Sequence, residues 1–127
     1  RIAERTRHGV KKAVVYNEQG HPGARVSIDK GRVTSQTNYS YTYWPDGAMK
    51  ERTSTGDMYI EVDGENTQVD ETVRFDESGR KVFFENRVAG KTQVLRRGKI
   101  VYGEGDSADK VIERKDQRFN PDGTEIS

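Results

Sequence analysis

The stretch Val73-Arg74-Phe75-Asp76-Glu77-Ser78-Gly79-Arg80-Lys81-Val82-Phe83-Phe84 decides how this chain is read. Two runs that alternate apolar and polar residues flank an Asp-x-x-Gly turn, the pattern of a β-hairpin. The turn recurs as Tyr16-Asn17-Glu18-Gln19-Gly20, Trp44-Pro45-Asp46-Gly47 and Phe119-Asn120-Pro121-Asp122-Gly123, each time just after an aromatic residue. In such a turn Asp or Asn accepts bonds from nearby backbone, Pro presets φ, and Gly takes the positive-φ position without a Cβ clash. The chain therefore reads as a series of hairpins.

Working outward, Val10–Tyr16 and Ala24–Ile28 alternate as strands, and Asp29-Lys30-Gly31 reverses the chain into Arg32-Val33-Thr34. Tyr39, Tyr41 and Tyr43 then fall on one strand face, with Ser40, Thr42 and Trp44 on the other, because strand side chains repeat with a period of two. Met58 to Val62 alternates next, and Asp63-Gly64 is a hairpin signal. Ala89-Gly90-Lys91 and Arg97-Gly98-Lys99 offer further turns before Ile100–Tyr102. Beyond Gly103 and Gly105, residues Ala108, Val111, Ile112 and Phe119 lie near one helical face, which predicts a short helix over 107–118, with a strand as its rival. Residues 1–9 are basic and interrupted by Gly9, and read as a flexible lead-in to a single β-rich domain over 10–127. The turn glycines are irregularly spaced, which argues against a solenoid or propeller of fixed period.

Composition bounds the core. Of 127 residues, 31% are apolar and 34% charged, against a usual charged share of about 25%. A thin core and a wet sheet surface follow. The fold predicted is mainly β: an antiparallel hairpin meander forming a partly open barrel or a two-layer sandwich, with the short helix covering one edge.

Net charge is +1, so no overall field draws the chain to nucleic acid, and nucleic acid is a disfavoured partner. Charge is nonetheless segregated along the chain. Between residues 57 and 77 eight acids accompany the single base Arg74, and between residues 80 and 99 seven bases accompany only Glu85. Cross-strand pairing on a solvated face explains this; a basic face around Arg80, Arg87 and Arg96 is the functional alternative.

The chain has no cysteine, which removes thiolate chemistry, disulfides and Cys-based metal sites. His8 and His21 have no motif partner, and no Gly-x-Ser-x-Gly elbow or phosphate-cradling loop is present. The acidic pairs Asp70-Glu71 and Asp76-Glu77 are adjacent, so on a strand they point to opposite faces and do not converge on one reacting atom. Asp57, Glu61, Asp63 and Glu65 are the better cation candidate, since three of them alternate onto one face, but Gly64 and Asn66 make this an ordinary hairpin tip. No catalytic residue, metal ligand or cofactor is assigned. The contact candidates are Tyr39, Tyr41 and Tyr43, a row on which sugars or bases could stack, with Trp44, Arg80, Arg87 and Arg96. The competing account of the tyrosine row is that it supplies the inward face of the sheet, leaving Trp44 outward.

The aromatic-capped Gly turns resemble the hairpin units of YwqK-like and YD-type repeats. The segment from Tyr43 to Lys91, especially Tyr43-Trp44-Pro45-Asp46-Gly47, Val73-Arg74-Phe75-Asp76-Glu77-Ser78-Gly79 and Arg87-Val88-Ala89-Gly90-Lys91, resembles the YjaH-like envelope lipoproteins of gammaproteobacteria. That resemblance implies a periplasmic or outer-membrane-anchored domain without catalysis, with cytoplasm as the alternative location. It also implies an envelope or protein partner, and membrane attachment only through a lipid anchor on an N-terminal Cys that these residues lack. The sequence starts at Arg1 without Met, as an excised fragment would. The function expected is non-enzymatic binding or scaffolding. A small hydrolase or lyase, using Tyr and carboxylates in a barrel mouth, is the alternative, and it requires a concave pocket beside Tyr39 and Tyr41 or the acidic hairpin.

Overall fold

A computed structural model describes residues 1–105, 110–120 and 122–126. Ten strands follow one another: β1 (Ile2–Arg7), β2 (Val10–Tyr16), β3 (Pro22–Asp29), β4 (Arg32–Tyr43), β5 (Met49–Gly56), β6 (Tyr59–Val62), β7 (Glu65–Phe75), β8 (Lys81–Val88), β9 (Val94–Tyr102) and β10 (Val111–Arg118). All pairings are antiparallel, in the order β1-β2-β3-β4-β5-β7-β8-β9-β10, with β6 on β7. The expected antiparallel meander is present. It is one open sheet, with β1 and β10 at its two edges, rather than a closed barrel or a pair of layers.

Two turn designs set the register. His8-Gly9, Lys30-Gly31 and Asp63-Gly64 are two-residue turns in which both residues have positive φ, between +50° and +80°. That is the geometry whose twist matches the flanking strands. The other design matches the motif read from the sequence. In Asn17–His21, Trp44–Ala48, Asp76–Arg80 and Asn120–Thr124, the first N–H donates to the last C=O, and the Gly N–H donates back to the first C=O. A carboxylate or amide then ties the turn. The Asn17 and Asp76 side chains accept from the N–H groups two and four residues on, and Asp46 and Asp122 accept from Ala48 N–H and Thr124 N–H. An extra residue bulges beside three of these turns, at the pairings of Tyr16, Tyr43 and Phe75.

Three expectations are corrected. Residues 2–7 of the supposed lead-in form β1, because His8-Gly9 is a hairpin turn rather than a helix breaker. Residues 111–118 of the expected helix form β10, paired with β9 from Val111↔Tyr102 to Arg118↔Arg96, while 107–109 lie outside the described residues. Arg97-Gly98-Lys99 is not a turn, since β9 runs straight through it.

The core is thin, as composition requires. Ala13, Val69, Val73, Phe84 and Leu95 are the buried apolar residues. The opening motif supplies its centre, with Val73 directly opposite Phe84 and both almost fully buried, while Phe75 and Val82 are half-buried. Accessible surface is 8901 Å², whereas a compact protein of this mass would expose about 6,800 Å². A sheet wetted on both sides accounts for the excess.

Gly98 is where the core meets β9. It lies opposite Phe84, and a Cβ there would come 2.3 Å from Phe84 Cε1 and 2.6 Å from Asp116 Oδ1. The Phe84 ring therefore packs on glycine backbone, with Lys81 and Arg96 cations 4.8 and 5.1 Å from its centroid. Gly98→Ala is expected to lower stability by about 1–3 kcal/mol through overpacking, read as a reduced urea midpoint; an unchanged midpoint would show that the ring moves aside freely.

Asp76 gives a pH test. Burial alone would raise its carboxyl, but bonds from Arg80 N–H, the Arg80 side chain and Ser78 N–H outweigh that and hold it below the usual carboxylate range. A depressed folded value stabilises the fold above the unfolded pKa of about 3.9 and is lost as pH falls through the folded value. Asp76→Asn is expected to flatten the acid limb of the stability profile below about pH 4, measured by urea unfolding across pH.

Candidate functional site

β4 alternates half-buried and exposed residues from Ser35 to Tyr43, and Tyr39, Tyr41 and Tyr43 lie on its half-buried side. The register sets Tyr39 opposite Ser54 and Tyr41 opposite Arg52 on β5, and Ser54 in turn opposite Glu71 on β7. On the other side, Arg25 of β3 faces Thr37, so it shares the tyrosine face. These strands and the turn before β3 enclose a shallow cavity of about 310 Å³, lined by His21, Pro22, Arg25, Tyr39, Tyr41, Met49, Arg52, Ser54, Met58 and Glu71.

One wall of the cavity is internally bonded. Tyr43 Oη receives Asn17 Nδ2 at 2.9 Å and lies 2.9 Å from His21 Nδ1. Tyr41 Oη donates to the Pro22 carbonyl at 2.6 Å. The His21, Tyr41 and Tyr43 rings lie against one another, with centroids 5.3–6.1 Å apart. Burial raises the Tyr41 phenol above its ordinary pKa, and the nearby Arg52 only partly offsets this. Tyr41 is thus a neutral donor at pH 7. Ring faces spent on each other do not form a platform for a stacked base or sugar, so these two tyrosines serve mainly as wall.

The other wall is less committed. Arg52 approaches Glu71 at 3.9 Å, and the Arg52 Nε is buried without a partner. Arg25 and the Tyr39 hydroxyl make no hydrogen bond or ion pair among the described residues. Two guanidiniums against one carboxylate leave the cavity with one excess positive charge.

The remaining candidates lie elsewhere. Trp44 is half-buried rather than outward, with Lys50 Nζ 4.9 Å from its ring centroid and its Nε1 buried without a partner. Arg80 pairs with Asp76 at 2.8 Å and lies over Tyr102. Arg87 pairs with Glu85 and bonds the Thr92 carbonyl, and Arg96 lies over Phe84. The structure does not gather these three with the tyrosines. The segregated charges meet in register at one place, with Asp70 opposite Arg87, and within the basic segment Glu85 lies opposite Arg97. The acids and bases of β5 and β7, however, pair across strands as Arg74 with Glu51 and Arg52 with Glu71, both reaching back to β5. Asp57 at the acidic hairpin accepts Gln36 N–H at 2.9 Å. Among the described residues no three His, Asp or Glu side chains come close enough to share an ion.

Sequence reading missed Arg25, Arg52, Glu71 and His21 as cavity residues. The signal for Arg25 was the Lys30-Gly31 turn, from which β3–β4 pairs can be counted, but a bulge between Ser27 and Ile28 shifts that count by one residue. Without the shift Arg25 would face Gln36 and lie on the other side of the sheet.

Tyr43→Phe removes the oxygen shared by Asn17 and His21. An expected loss of about 1–2 kcal/mol, at roughly 1 kcal/mol per hydrogen bond, should appear in thermal unfolding. A change near zero would mean that solvent replaces both bonds.

Comparison with protein-family models, with curated proteins and with solved structures finds no match to this chain.

Proposed function

We propose that the chain is a non-enzymatic binding domain whose ligand seats in the tyrosine-face cavity. One observation carries this reading: Arg25 and Tyr39 line the cavity uncommitted, beside a wall of His21 and Tyr41 already held by contacts with each other and with Tyr43 behind them. A fixed wall and free polar groups are what orient a small ligand. The excess positive charge selects a monoanion, and the volume of about 310 Å³ suits a single ring. A hydroxyl-rich carboxylate, such as a uronic acid, offers the matching groups. Charge-assisted bonds from Arg25 would hold the carboxylate, and Tyr39 with Glu71 would meet hydroxyls.

Envelope placement is part of this proposal and rests on the resemblance over Tyr43–Lys91. Localisation of the full-length precursor tests it, and a native start without signal peptide or lipid-attachment Cys would count against it.

The hydrolase or lyase reading keeps the concave pocket it requires. Its weakness is the tyrosine chemistry, because Tyr41 has a raised pKa and spends its proton on Pro22, which makes it a poor base at neutral pH.

Calorimetric titration with glucuronate and with glucose tests the binding reading. Glucuronate is expected to bind and glucose to bind more weakly. Arg25→Gln should cost about tenfold in glucuronate affinity, the scale of one charge-assisted bond, and Tyr39→Phe somewhat less. Equal responses to the two sugars, or indifference to both substitutions, would overturn the assignment.

A further inference from the structure

β9 and β10 set like charges directly opposite each other twice. Arg96 faces Arg118 on the tyrosine face, and Lys99 faces Lys115 on the other. Opposed like charges weaken a strand pair, so each pair needs an answering anion or a reason to persist. Arg96 and Arg118 share a cavity of about 520 Å³ with the acidic residues Glu61 and Asp63, although no ion pair joins them among the described residues.

The lysine pair is half answered, by Glu113 beside Lys115. Lys99 and Lys115 line a separate cavity of about 520 Å³ with Phe83, Arg97, Arg114, Asp116 and Gln117. The carboxylates of β10 are largely engaged: Asp116 pairs with Arg114 at 3.3 Å, and Glu113 reaches Lys115 only at 3.8 Å between exposed side chains. Arg97 donates to the neutral Gln117 amide at 3.0 Å. Lys99 has no hydrogen bond or ion pair among the described residues.

We propose that this face of β9 and β10 binds a small polyanion carrying two or more phosphate groups, with Lys99, Lys115 and Arg97 as its contacts. Residues on neighbouring strands lie about 4.8 Å apart, and alternate residues of one strand about 6.6 Å apart. The three cations are thus spaced to meet successive phosphates. Phosphate chemistry is favoured over nucleic-acid bases because the one aromatic residue lining the cavity, Phe83, already carries the Arg74 guanidinium 4.8 Å from its centroid. The site is separate from the tyrosine-face cavity and does not depend on what binds there.

Titration of the full chain with tripolyphosphate tests this. Binding should weaken as salt rises, and Lys99→Gln and Lys115→Gln should each lower affinity by up to about fivefold, the scale of an exposed charge contact. Lys99→Arg should retain binding. Without ligand, Lys99→Gln should raise the melting temperature, because it relieves the opposed charges. Three results would overturn the proposal: no tripolyphosphate binding at about 50 mM salt, equal binding by the wild type and both glutamine variants, or binding of a single-stranded oligonucleotide but not of tripolyphosphate. A lower melting temperature for Lys99→Gln, with an unchanged circular dichroism spectrum, would remove the repulsion on which the proposal stands.

Discussion

Cross-strand pairing bears most of this structure, because among the described residues the sheet has no second layer to press against. A two-layer domain holds each strand by the apolar face it buries. Here the buried apolar residues among those described are Ala13, Val69, Val73, Phe84 and Leu95, too few to hold ten strands in place. The ladder of backbone hydrogen bonds must do so, and its register depends on the turns. The positive-φ glycines and the Asn or Asp side chains that tie the turns are therefore as structural as the core itself.

An open sheet of this kind gives side chains two wet faces and lets charged residues pack by their stems. Arg74 over Phe83, Lys81 and Arg96 over Phe84, Arg80 over Tyr102 and Lys50 over Trp44 all cover aromatic rings with cations. The charged share of the composition thus contributes to packing as well as to solubility. It also explains why Arg80 and Arg96, attractive as ligand contacts in a linear reading, are occupied in the fold. Two cavity-lining cations are instead left by the register without a hydrogen bond or ion pair among the described residues, Arg25 on one face and Lys99 on the other.

Local chemistry was legible wherever it was short-range. The four Gly turns, the Asp63-Gly64 hairpin and the tyrosine row on one face follow from residue type and a period of two, and the structure carries all of them. Glycines judged by neighbours alone misled: His8-Gly9 turned out to be a hairpin, and Gly98 a strand residue that makes room for Phe84. A Gly that follows a polar residue serves both uses, and only the partner strand distinguishes them. Residues 111–118 were ambiguous for a related reason, since apolar spacing near a chain end fits a helix or a strand until β9 supplies hydrogen-bond partners.

The sequence by itself determined the fold class, the hairpin punctuation and which residues of a strand share a face, because each depends on backbone geometry within a few residues. The tertiary structure decided that the sheet stays open and which strand faces lie together. It did so through bulges, where one unpaired residue turns a whole strand over. The extra residue in β4 between Val33 and Ser35 brings Arg25 onto the tyrosine face, and with it the cavity. A shift of one residue is decided by the sum of all the pairings along a ladder, and no short stretch of sequence contains that sum.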